Sequence, residues 1–236
     1  MTMVLQWVAL AACAVCTAWR LPAMLKGRNR GLFWAFAMAS VSVALSIPAI
    51  YLPVDGFLGG ANLANVMLRL SLFAVFFLLA GKVAAAYKSP LAYHFVRGPV
   101  GLLVLVASSL GIWITYFLSE LQGSSTGLAE FGDQPSVAVY MWIGRSYTAY
   151  AAAVLVLPTA RAAVLSNRSF MDRAAAACLS AGFFLVCLTV PLQALSLPTG
   201  TATHAASFGS ILFVAAGLSL VWLSFIRHPI QGTTRV

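Results

Sequence analysis

Long apolar runs divide this sequence into seven segments, and they constrain its fold more than any other feature. Each run has the 17–25 residues that an α-helix needs to cross the hydrocarbon core of a bilayer, about twice the length of a membrane-spanning β-strand. In hydrocarbon every backbone polar group needs a partner within the protein, so such runs fold as a bundle of helices. The predicted spans cover residues 3–19, 31–52, 57–81, 98–118, 137–157, 174–197 and 202–225.

The low content of charged residues supports the membrane as the solvent for most of the chain. Of the 236 residues, 8% are charged and 61% are hydrophobic, whereas soluble proteins carry about a quarter charged residues. No loop between the apolar runs is long enough to form a separate domain. We therefore expect an all-α fold in which residues 1–236 form a single seven-helix transmembrane domain.

The charged residues of the loops predict the orientation of this bundle. Every second loop is basic, and together these loops and the tail carry Arg20, Lys26, Arg28, Arg30, Lys82, Lys88, Arg97, Arg161, Arg168, Arg173, Arg227 and Arg235. The opposite loops have no basic residue and carry Asp55, Glu120, Glu130 and Asp133 instead. Because basic loops stay in the cytoplasm, the sequence predicts a multi-pass protein of the bacterial inner (plasma) membrane, with its N-terminus outside and its C-terminus in the cytoplasm.

Two arginines that lie inside predicted spans are the main candidates for function. Arg69 falls in the third span and Arg145 in the fifth. An arginine at such a depth costs about 2.5–3.5 kcal/mol on insertion scales, so each should face the bundle interior and find a partner there. Asn62 and Asn65 have the spacing that places them on the helical face of Arg69. Thr148 lies one turn after Arg145.

These side chains predict a polar pocket in the outer half of the bundle, suited to an anionic small molecule. Guanidinium groups bind carboxylates and phosphates through paired hydrogen bonds. Gln193, on the sixth span beside Pro191, adds a further polar group next to a proline kink. The alternative is structural: either arginine pairs with Glu120 or Asp133, or reaches the outer headgroups. Polar helix faces also serve helix packing.

Several classes of function are not expected from this sequence. It has no nucleotide-binding P-loop, no zinc-protease motif and no Asp or Glu in a predicted span, so we expect neither an enzyme nor a metal or cofactor site. The net charge of +9 follows the membrane topology, so no nucleic acid is expected as a partner. Two functions stay open. One is a transporter-like component for a small solute, and the other is a membrane sensor or interaction subunit with a membrane or cytoplasmic protein partner.

Three segments also resemble a family of actinobacterial seven-helix membrane proteins regarded as transporters. They are SIPAIY at residues 46–51, the acidic Asp55, and NLAN at residues 62–65, which opens the third span. The basic loop before the sixth span is similar as well. The resemblance implies a helical bundle and a transport function. Members of that family continue into a cytoplasmic C-terminal domain, whereas this sequence stops at Val236, so we carry over the bundle alone.

Overall fold

A computed structural model describes residues 2–27, 30–165, 169–194 and 200–227, with side chains for residues 3–27, 30–165, 169–192 and 205–221. Within these ranges the regular structure is helical, which confirms the all-α fold class. The helices are α1 (Thr2–Leu25), α2 (Arg30–Ala44), α3 (Pro48–Phe57), α4 (Leu63–Ala86), α5 (Pro90–Arg97), α6 (Pro99–Phe117), α7 (Pro135–Val164), α8 (Phe170–Ala194) and α9 (Gly200–Arg227), with a 3-10 helix at Thr126–Phe131.

Five segments of the described chain are long and apolar enough to cross a membrane. They are Met3–Leu25, Leu63–Ala86, Pro90–Phe117, Pro135–Val164 and Phe170–Leu192. The bent pair of α2 and α3 would make a sixth span, and α9 contributes a shorter apolar stretch, Ala205–Val221. These helices mark the chain as a multi-pass membrane protein in contact with the lipid bilayer.

The second predicted span is broken in the structure, so the prediction of one continuous helix over residues 31–52 is wrong. α2 ends at Ala44, and α3 begins at Pro48 after a bend of 93°. Ile47, between the two helices, has an extended backbone with φ −92° and ψ 119°. Pro48 has no N–H to donate to the carbonyl of Ala44, and its ring would clash with that carbonyl in a continuous helix.

Six helices form a closed ring in the order α1, α2, α4, α7, α8 and α9, since each contacts the next and α9 contacts α1. α5 and α6 lie outside this ring, against α4 and α7. Gln6 near the start of α1 donates to the carbonyl of Ser46 just after α2, so these two helices are antiparallel. Arg173 near the start of α8 donates to the carbonyl of Ala163 near the end of α7, and Cys187 further along α8 contacts the carbonyl of Ala149, so α7 and α8 are antiparallel as well.

Residues 118–134, between α6 and α7, fold over one end of the ring, and we call them the cap. Three backbone positions of the cap have positive φ: Gly123, Gly127 and Leu128. Leu128 is nevertheless 2% exposed, so its side chain fastens the cap to the bundle. α1, α4, α7 and α9 all begin at the cap end. The described chain therefore starts at the cap end and leaves the bundle at the opposite end.

Candidate functional site

A cavity of about 680 Å³ lies inside the ring, which is within the range of small-molecule sites. All six ring helices contribute lining residues, and the 3-10 helix of the cap lies over the cavity. Four of the residues singled out in the sequence line this cavity together: Asn65, Arg69, Arg145 and Thr148. Helices α4 and α7 therefore bring the two intramembrane arginines into one space.

Arg69 projects from α4 toward α7. Its Nη2 atom donates to Sδ of Met141 over 2.9 Å, and its guanidinium carbon lies 5.9 Å from the ring centre of Tyr140. A thioether is a weak acceptor. The Nε atom is buried and has no hydrogen-bond partner among the described residues. The guanidinium is thus fixed in position while part of its donor capacity stays unused.

Arg145 lies one helical turn after Met141 on α7, so its side chain starts from the same face of the helix. Its Nη1 atom is also buried without a hydrogen-bond partner in the described part of the chain. No Asp or Glu is among the described residues that line the cavity. Two positive charges therefore share a partly buried space in which no lining carboxylate offsets them.

The carboxylates predicted as alternative partners lie elsewhere. Glu120 and Asp133 are exposed in the cap. The backbone of Glu120 is bonded to the side chain of Gln134, at 3.1 Å and 2.9 Å. Neither acid lines the cavity, as far as the described residues extend. The geometry therefore leaves both arginines directed at the cavity.

Asn62 does not line the cavity, and its predicted place on the helical face of Arg69 is wrong. It precedes the first turn of α4 with φ 60°, a left-handed conformation that Asn tolerates better than most residues. Its Oδ1 atom accepts from the hydroxyl of Tyr51 and the N–H of Ser125, and its Nδ2 atom donates to the carbonyl of Gly123. Asn62 therefore joins the cap to the bundle.

The remaining predicted side chains are partly engaged within the protein. Oδ1 of Asn65 accepts from the hydroxyl of Tyr140 over 2.9 Å, and the Asn65 side chain also interacts with the hydroxyl of Tyr51. Oγ1 of Thr148 donates to the carbonyl of Arg145 over 2.9 Å, so its lone pairs can still accept a hydrogen bond. Gln193 belongs to α8, but its side chain lies outside the described residues.

Asp55 is buried, and it lies in a helix rather than in the acidic loop that the sequence predicts. It sits in α3 and is 0% exposed. Its Oδ2 atom accepts from the N–H of Asn62 (2.9 Å) and the hydroxyl of Ser124 (2.6 Å), and its Oδ1 atom accepts from the N–H of Ala64 (3.0 Å). The sequence held one indication that the segment around Asp55 is folded. The Gly59–Gly60 pair follows it, and paired glycines indicate a tight turn.

Sequence reasoning also missed polar groups on the far side of the cavity from α7. Gln6 of α1 lines the cavity and donates to the carbonyl of Ser46, which the bend after α2 leaves without a helical partner. Ser42 of α2 and Ser210 of α9 line it as well. An isolated Gln in an apolar run was the available signal, since an intramembrane polar group needs a partner in the bundle.

No protein-family model, curated protein or solved structure matches this chain. The resemblance of residues 46–65 to the actinobacterial seven-helix family stays a prediction.

Proposed function

We propose that the protein is a transporter-like component of the membrane that binds an anionic molecule in the ring cavity. One observation carries the proposal: Arg69 and Arg145 line the same cavity, and each has a buried N–H group without a partner among the described residues. Removing a charge from water is costly unless an opposite charge compensates it. A carboxylate or phosphate would supply both the missing acceptors and the missing negative charge.

We further infer seven crossings of the bacterial plasma membrane, with the cap outside and the C-terminus in the cytoplasm. Counting α2 with α3 as one span and α9 as another gives this number. The charges of the described loops support the orientation. The end opposite the cap carries Arg20, Lys26, Arg30, Lys82, Lys88, Arg97, Arg161 and Arg173. The cap carries Glu120, Glu130 and Asp133.

The proposed anion site can be tested by chemical protection of the two arginines. The full chain is placed in lipid nanodiscs and treated with phenylglyoxal, which modifies arginine, with and without benzoate or inorganic phosphate. Peptide mass spectrometry then measures the modification of each arginine. We expect the anions to protect Arg69 and Arg145 but not Arg161, which is exposed at the far end of α7. Equal modification of all three, with and without anions, would contradict the site.

Substitution of the arginines gives the second arm of the test. A hydrogen bond to a charged group contributes about 1.5–3 kcal/mol, so Arg145→Gln should weaken benzoate binding at least about tenfold. Arg161→Gln removes the same charge far from the cavity and should leave the affinity unchanged. Monodisperse elution of each variant verifies that it folds. An unchanged affinity in Arg145→Gln and Arg69→Gln would overturn the proposal.

Transport is tested separately from binding. The protein is reconstituted in sealed vesicles and the entry of radiolabelled benzoate is followed over time. Flux that disappears in Arg145→Gln supports a transporter. Saturable binding without flux would overturn the transport part of the proposal and favour a membrane sensor that uses the same cavity.

A further inference from the structure

The polar residues that line the cavity lie toward the cap, among apolar ones such as Leu68 and Phe208, whereas apolar residues line its other end. On α4, Asn65 and Arg69 lie nearest the cap, and Leu72, Phe76 and Leu79 follow on the same side of the helix. Asn65 and Leu79 are separated by about 21 Å at the rise of an α-helix. The cavity is therefore long, with its positive charge at one end.

A similar order of polar and apolar residues recurs on other helices of the ring. α8 runs toward the cap and contributes Phe183 before Thr189, and α9 runs away from the cap and contributes Ser210 before Ala215. On α2, which runs toward the cap, Phe36 lines the part of the cavity distant from the cap. Three further helices thus place polar groups near the cap and apolar groups away from it.

The end of the cavity away from the cap has apolar, largely buried walls. Phe76 and Leu79 on α4 are 8% and 6% exposed, and Phe36 on α2 is 4% exposed, although all three line the cavity. A space with hydrocarbon walls holds water poorly. Such walls favour an apolar ligand group, because each buried methylene contributes to binding.

We propose that the ligand is a long-chain anionic amphiphile, with its headgroup at Arg69 and Arg145 and its hydrocarbon tail along α4 toward Leu79. This inference rests on the proposed anion site and names its class of ligand. A fatty-acid anion and an anionic phospholipid share this chemistry. The headgroup binds in the polar half nearest the cap, and the tail fills the apolar half.

Photo-crosslinking tests where the tail lies. The full chain in phosphatidylcholine nanodiscs is irradiated with dodecanoate that carries a diazirine at its terminal carbon, and the labelled peptides are mapped by mass spectrometry. We expect label in the segment of α4 around Phe76 and Leu79. Excess dodecanoate should remove this label, whereas excess dodecyltrimethylammonium, with the same chain and the opposite charge, should not. Label confined to lipid-facing residues such as Leu103, which is 68% exposed, would overturn the proposal.

The wild-type protein provides a test that does not depend on a folded variant. Octanoate, decanoate and dodecanoate compete with the crosslinker, and their aqueous concentrations are corrected for partition into empty nanodiscs. The affinity should rise about fourfold for each added methylene. If benzoate protects the arginines but the affinity does not rise with chain length, the anion site stands and the amphiphile is wrong. If no anion protects the arginines, both proposals are wrong.

A variant and a lipid exchange complete the design. Ala39, a small residue on α2 that lines the cavity, is changed to Phe to fill the space for the tail. Ala39→Phe should reduce dodecanoate crosslinking at least tenfold while benzoate still protects Arg69. Equal losses of both would contradict separate head and tail subsites.

Replacing part of the phosphatidylcholine with phosphatidylglycerol distinguishes the two possible sources of the amphiphile. Competition by this lipid supports an anionic phospholipid, and its absence supports a fatty-acid anion.

Discussion

At the scale of single residues, the buried charges of this protein are of two kinds. The carboxylate of Asp55 accepts three hydrogen bonds from Asn62, Ala64 and Ser124, so its burial is compensated within the protein. Arg69 and Arg145 each keep a buried N–H group without a partner among the described residues. A compensated buried charge is tolerated in the fold, whereas an uncompensated one is costly until a partner or ligand compensates it. Asp55 therefore has a structural role, and the two arginines are the residues on which the proposed anion site rests.

Replacing Asp55 with Asn should loosen the attachment of the cap. An Asn amide would direct one N–H group toward donors that now meet an oxygen, which leaves buried groups unpaired. We expect a loss of about 1.5–3 kcal/mol in the free energy of unfolding. The midpoint of thermal unfolding in detergent measures this loss.

Glu130→Gln is the matched control for Asp55→Asn, because it removes one negative charge from an exposed position of the cap. Exposed charges contribute little to stability, so its midpoint should stay close to that of the wild type. Equal midpoints for both variants would show that Asp55 does not fasten the cap.

At the scale of elements, glycine residues decide how closely the helices of the ring approach. A Cβ atom at Gly182 of α8 would lie 3.0 Å from the carbonyl oxygen of Ser210 on α9, so these two helices are in backbone contact. A Cβ atom at Gly144 of α7 would lie 3.0 Å from Cδ of Arg69 on α4. Gly144 therefore makes room for the guanidinium that reaches from α4 into the cavity.

Gly144→Ala should weaken anion binding without weakening the fold. The added methyl group displaces the Arg69 side chain by a few tenths of an ångström, and we expect a several-fold loss of benzoate affinity. Ala also favours a helix over Gly by about 1 kcal/mol, which offsets the crowding. Benzoate affinity and the thermal midpoint, measured on the same preparation, separate the two effects.

Gly209→Ala on α9 is the control for this substitution, since the new Cβ atom would lie 3.8 Å from Leu185, an ordinary contact distance. It adds the same methyl group to a helix but does not contact either arginine. Its benzoate affinity should equal that of the wild type. If Gly144→Ala binds benzoate equally well, Gly144 does not position Arg69.

At the scale of the whole molecule, a closed ring with a cap at one end gives the cavity two different ends. The acidic cap lies over the polar half, and the basic loops surround the opposite end of the bundle. If the cap is outside, as the distribution of basic residues supports, an anion from outside the cell meets the arginines before it meets the apolar half.

Cysteine labelling in intact cells tests this orientation. Glu130→Cys, exposed in the cap, should react with a membrane-impermeant maleimide added to the medium. Lys88→Cys, in the loop after α4, should react after the cells are permeabilised and not before. The wild type, whose four cysteines lie in helices, measures the background. Labelling of Lys88→Cys and protection of Glu130→Cys in intact cells would reverse the proposed topology.

The sequence by itself determined the all-α class, the membrane as solvent and the location of two arginines inside apolar segments. These conclusions depend on the lengths of the apolar segments and on the free-energy cost of placing a charge in hydrocarbon. Both follow from short stretches of the sequence. The prediction that Arg69 and Arg145 approach each other came from their similar depth, and the structure places them on one cavity. The spacing of Asn65 and Thr148 to these arginines also predicted their place on the same cavity.

Only the tertiary structure decided which polar residues belong to the cavity and which to the cap. Asn62 has the right spacing to share a face with Arg69, but it lies before the helix begins and bonds to the cap instead. Asp55 is a charged residue between two apolar runs, a position typical of a loop. In the structure it is fully buried and bonds to Ser124 of a distant segment. Such contacts join positions more than 60 residues apart. The spacing of neighbouring residues does not predict these contacts, because they form only when the cap folds against the segment that precedes α4.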